Sequence, residues 1–128
     1  MKPIAVGTSA TTETSTDVSH TADAVGNAGV HVVSSPALIL MVEMASHQTI
    51  MTSFDAGEGS VGIRFELEHV AACKAGTRVT AVTTVTEVDG RRVVFDVVAR
   101  DGERVLMRGR HQRMVLNLDR FLKMQGIV

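Results

Sequence analysis

A chain of 128 residues fits one domain, 1–128, and its 45% apolar content can build one core without disulfide or metal support. It has no Trp or Tyr and four Phe, which argues against the aromatic stacking platforms of most single-strand nucleic-acid binders. A net charge of −1 and a pI near 6.5 also lack the basic excess of a polyanion binder, so no nucleic-acid partner is expected.

The single cysteine, Cys73, cannot form an internal disulfide and suits a reducing, cytoplasmic setting. The opening MKPIAVGTSATTETS turns polar too soon for a secretory signal. The most apolar run, Ala37 to Ala45, is interrupted by Glu43 and falls short of the ~20 residues that cross a bilayer. No membrane partner is expected.

In chain order, residues 7–18 are Thr-rich with polar alternation and read as an edge strand. Residues 19–33 are small and polar, with Gly26 and Gly29, and read as an irregular or short-helical segment able to cover something. A helix is predicted from Ser35, with Ser35 as cap and Pro36 at the first helical position, running to about Thr52. Its first half is apolar almost all round, which predicts burial on most sides. The turn residues Asp55–Gly59 follow.

From Val61 the period changes to two. Val61, Ile63, Phe65, Leu67 and His69 share one predicted face, with Arg64, Glu66 and Glu68 on the other. After the loop Ala71–Gly76, three more strands are predicted near 77–88, 91–100 and 103–117, joined through Asp89-Gly90 and Asp101-Gly102. Leu118 to Met124 reads as a last helical turn or two. The order is that of an α+β domain in which a curved antiparallel sheet of about five strands wraps one central helix, with a second copy the natural way to extend the sheet.

Glu43 is the first candidate for chemistry. An unpaired buried carboxylate costs several kcal/mol, so Glu43 must be paired, partly solvated or protonated. Either it keeps the helix soluble, or it lines a cleft as nucleophile or general base. His47, four residues on, is a rival local partner. His69 ends the apolar strand face, and its strand is expected to cross the helix near Glu43, where Glu and His together could activate water or an attacking group. Ser35 reads first as a cap and second as a catalytic hydroxyl. The glycines of GEGSVG are an ordinary turn or a place where a ligand meets backbone N–H groups. Cys73 reads as a passive loop thiol, and the five His are too scattered to form a metal site.

Taken together, SSPALILMVEMAS, GEGSVGIRFELEH, AGTRVTAVTTVTEVDGRRVVFDVVARDG and GRHQRMVLNLDRF resemble the fluoroacetyl-CoA thioesterase family of hotdog-fold proteins, over about Ser35 to Phe121. The resemblance implies a dimeric hotdog enzyme that cleaves acyl-CoA thioesters without a metal or other cofactor, coenzyme A entering only as part of the substrate. It places the family's catalytic Thr on Ser35, its Glu on Glu43 and its His on His69. The site glycine falls on Gly62, and an arginine near the end of the last strand on Arg113. The family's fluoroacetyl-specific enzyme gates its site with phenylalanines ahead of the helix. Residues 24–34 hold no aromatic here, so fluoroacetyl selectivity is not expected.

The expected function is therefore hydrolysis of a short or medium acyl-CoA to free acid and CoA, with Ser35, Glu43 and His69 at a homodimer interface. The rival from another class is a non-catalytic hotdog module that binds acyl-CoA or a small apolar ligand. An enoyl-CoA hydratase would need an Asp and a His close together at the start of the central helix, a spacing absent near Ser35.

Overall fold

The computed structural model describes residues 1–127. The elements run β1 (Ser9–Ser15), α1 (Ser35–Ile50), β2 (Glu58–His69), β3 (Arg78–Asp89), β4 (Arg92–Asp101), β5 (Arg104–Asn117) and α2 (Leu118–Met124). The strands form one antiparallel sheet in the order β1-β3-β4-β5-β2, so β1 and β2 are its two edges.

The two tight hairpins carry glycine at the first central position, Gly90 (φ 60°) and Gly102 (φ 57°), and among the described residues no non-glycine stands at positive φ. Asp89 pairs with Arg92, and Asp101 with Arg104. Each Asp-Gly thus supplies the last strand residue and the first turn residue, the pattern of a II′ turn. Register shifts at Val85/Glu87, Ala99/Arg100 and Gly62/Arg64 interrupt the ladders. Such bulges add twist, which lets the sheet curl about α1.

The helix presents Leu38, Met41, Val42, Ala45 and Ile50 to the sheet, where Val79, Ala81 and Val85 of β3, Val93, Phe95, Val97 and Ala99 of β4 and Leu106, Met107 and Val115 of β5 complete an aliphatic core. Thr49 and Ser46 are buried in the same face and donate their hydroxyls to Ala45 O and Val42 O, as residues four apart on a helix can. Burial is less complete than the apolar first half of α1 implies. Leu40 (57% exposed) and Met44 (48%) face outward beside Pro36 and Gln48, four residues apart along one stripe.

The segment ahead of α1 is irregular, as its composition implies, but tied down. It contains two 3-10 turns, Val18–His20 and Asp23–Val25, and is bridged at Thr21↔Val33 and Val32↔Lys74. No helix among the described residues is long and apolar enough to cross a membrane.

Candidate active site

Ser34, not Ser35, caps α1. Its side chain accepts from the Ala37 N–H at 3.1 Å and its backbone is extended. Two serines precede Pro36, and the sequence does not distinguish them; the outer one takes the cap because proline is tolerated at either of the first helical positions. The consequence is chemical. Ser35 becomes the first helical residue, and its hydroxyl lies 2.7 Å from His69 Nδ1.

His69 reaches that point because β2 is irregular. Gly62 and His69 are seven residues apart and would face opposite sides of a regular strand. Gly62 pairs with Arg113 while Arg64 pairs with Gln112, so Ile63 is the extra residue of a bulge. Before it, Ser60 and Gly62 face the helix; after it, Phe65 and His69 do. This corrects the expectation of one continuous apolar face: Ile63 (46%) and Phe65 (43%) are substantially exposed.

Glu43 lies two helical turns beyond Ser35, a rise of ~12 Å, with Ile39 midway on the same face. Its Oε2 is 3.4 Å from Arg113 Nη1, with the arginine side chain 7% exposed and the carboxylate 30%. It also rests against Gly62, where a Cβ would sit only 2.5 Å from Oε2. Among the described residues no hydrogen bond joins Glu43 to His69 or His47. The imidazole near Glu43 anticipated from strand crossing is instead held by Ser35, and His47 turns to Ser60 at 2.8 Å.

Arg113 is fixed by its whole donor fork. Nε donates to Ser60 Oγ at 2.8 Å and Nη2 to Ser60 O at 3.0 Å. Nη1 donates to His111 Nε2 at 3.1 Å. A guanidinium only donates, so His111 must accept through Nε2 and donate its Nδ1–H to Arg64 O, 2.9 Å away. Burial pushes the His111 pKa down, so the ring stays neutral as this pattern requires. The ring lies stacked against Phe65, with centroids 4.4 Å apart, and is completely buried. Ser60 Oγ, which accepts from Arg113, also pairs with His47 Nδ1 at 2.8 Å. Burial, and then the Arg113 charge, lower the His47 pKa. Burial also lowers the pKa of Arg113 itself, while Glu43 opposes that shift.

The arrangement is a carboxylate, partly open to solvent, held by a buried cation over a glycine, with a hydroxyl–imidazole pair two helical turns away. Sequence reasoning missed Ser60, His111 and the role of His47. For His111 a signal was present: it alternates in phase with Arg113 and Val115 on β5, the helix-facing side of that strand.

One sheet curled around one helix, in this strand order, is the hotdog architecture. The family model described as fluoroacetyl-CoA-specific thioesterase matches residues 16–119, and the chain belongs to that family. The fluoroacetyl-CoA thioesterase of Streptantibioticus cattleyicolor is 31% identical over 90 residues, covering 70% of this chain and 65% of that protein, just under two thirds of its length. A threonine-to-serine mutant of a fluoroacetyl-CoA thioesterase, solved in complex with acetyl-CoA, superposes with a TM-score of 0.92 at 26% identity, covering 96% of this chain and 97% of that one. A hot-dog-like protein from Thermanaerovibrio acidaminovorans gives a TM-score of 0.86 at 27% identity, covering 94% and 90%.

Proposed function

We propose that this chain is an acyl-CoA thioesterase that hydrolyses short or medium acyl-CoA esters to the free acid and CoA. The observation that carries the reading is Glu43, a carboxylate held by Arg113 against Gly62 and still open to solvent on one side. A structural ion pair would gain nothing from that opening; a nucleophile or general base needs it. Membership of a thioesterase family and the acetyl-CoA complex of a relative with this fold support acyl-CoA as the ligand class.

In this reading Glu43 delivers the electron pair to the thioester carbonyl, directly or through a water that it deprotonates. The C–S bond then breaks, and water supplies the oxygen of the acid and the proton of the thiol. His69, oriented by Ser35, serves as acid and base for the proton transfers. Gly62 leaves room for the carboxylate and for the carbonyl beside the strand. Arg113 keeps the carboxylate aimed.

The reading includes a homodimer. Among the described residues the outer edge of β2 has no strand partner, and twelve residues of unpaired edge are a ready template for a second copy. The separation between Ser35–His69 and Glu43 supports sites assembled where two copies meet.

The test is CoA release, followed with a thiol reagent, from an acyl-CoA panel running from acetyl to decanoyl and including fluoroacetyl. Turnover of one or more short or medium esters, without preference for fluoroacetyl, is the expected result. Saturable binding of these esters with no thiol released would replace the enzyme with a binding module.

A further inference from the structure

Between the Ser35–His69 pair and Glu43 lies a strip of apolar side chains that the thioesterase reading leaves without a task. Ile39 occupies it from the helix, at the midpoint between Ser35 and Glu43. Phe65 and Leu67 occupy it from the strand, between Gly62 and His69. Ile39 and Leu67 are partly buried against the core, whereas Phe65 keeps 43% of its surface exposed.

Phe65 is unusually well placed for an exposed aromatic. Its ring tip lies 3.0 Å from the point where a Gly62 Cβ would stand, and Glu43 Oε2 lies 2.5 Å from that same point. Ring and carboxylate oxygen are thus at most the sum of those distances apart. The ring is stacked on His111 at an interplanar angle of 24°, and His111 is pinned by Arg113 and Arg64 O. Its orientation is therefore fixed before any ligand arrives, and it projects from the sheet face rather than along the edge. The other three Phe offer no exposed ring there: Phe54 packs on His47, Phe95 stacks near His111 but is fully buried in the core, and Phe121 sits on α2. Residues 24–34 contribute no aromatic surface.

The geometry points to Phe65 as the residue that sets acyl preference, its exposed face receiving the acyl chain of a substrate whose carbonyl sits at Glu43. This rests on the thioesterase reading of Glu43. Unbranched apolar acyl groups are the class that the strip fits, since Ile39, Phe65 and Leu67 offer no side-chain hydrogen bond to a polar one. Each methylene laid on such a surface is worth up to about fourfold in apparent affinity, so a chain of several carbons is favoured over acetyl.

The experiment compares kcat/KM for hexanoyl-CoA and acetyl-CoA in the wild type, Phe65→Ala and Phe65→Leu. The wild type favours hexanoyl. In Phe65→Ala that ratio falls about tenfold or more, because KM for hexanoyl-CoA rises by more than any change on acetyl-CoA. Phe65→Leu, which keeps an apolar surface, loses about threefold and carries the test should the alanine variant fail to fold. An unchanged ratio, or an equal loss on both substrates, overturns the assignment. Calorimetric titration with the hexanoyl and acetyl thioether analogues of CoA measures the same ratio without turnover. A ratio that depends on Phe65 in a wild type that hydrolyses nothing would sink the thioesterase reading and keep this one. Equal wild-type affinity for the two analogues overturns this one alone.

Discussion

At Gly62 the absence of one methyl group decides where the Glu43 carboxylate rests. A Cβ there would meet Glu43 Oε2 at 2.5 Å and both His111 Cε1 and Phe65 Cζ at 3.0 Å. His111 is held by two hydrogen bonds and Phe65 is stacked on it, so the free end of Glu43 is the group that yields. Gly62→Ala is therefore expected to cost little stability, about 1–3 kcal/mol at most. Displacing the carboxylate by about an ångström should cost roughly a hundredfold in kcat. Thermal melting and CoA release measured on the same preparation check this pair of outcomes. A variant with wild-type kcat would mean that the position of Glu43 is immaterial. The residues around it follow the same economy of space: one guanidinium satisfies Ser60, His111 and Glu43 together, which ties the orientation of the carboxylate to β2 and β5 at once.

At the start of α1, two adjacent serines divide two tasks that the sequence assigns to one. Ser34 closes the helix end and Ser35 faces His69. Ser34→Ala should lower stability by about 1 kcal/mol, the usual worth of a cap. Ser35→Ala should leave the melting temperature near that of the wild type and cut turnover at least about tenfold. Reversed effects in the two variants would contradict the assignment. The elements themselves were legible: period two on β2 to β5, the Ser-Pro start of α1, the two Asp-Gly hairpins and the Thr-rich edge strand all stand where the pattern puts them. Two things were not. A bulge is a local slip of register that leaves no mark in hydrophobic alternation, so the faces of β2 changed at Ile63 without warning. Partner choice among polar side chains depends on depth and rotamer, which is why His47 went to Ser60 and His69 to Ser35 rather than either to Glu43. The family resemblance named Ser35, Glu43, Gly62, His69 and Arg113 as site residues; it did not supply Ser60 and His111, which hold Arg113 in place.

Over the whole molecule, the helix covers one face of the sheet and leaves the β2 edge unpaired, with Ile63 and Val70 exposed near it. A second copy joined along that edge would continue the sheet and bring two sets of site residues together. Sedimentation equilibrium should give about twice the chain mass of 13.7 kDa. A fully active monomer would remove the dimer from the account while leaving Glu43 its role. That role is the central claim, and kcat/KM of Glu43→Gln on the best acyl-CoA ester tests it most directly, because the amide keeps the shape and removes the charge. A loss of about a hundredfold or more, with the melting temperature nearly unchanged, is the predicted result. Hydrolysis at the wild-type rate would contradict it and leave Glu43 as the structural partner of Arg113.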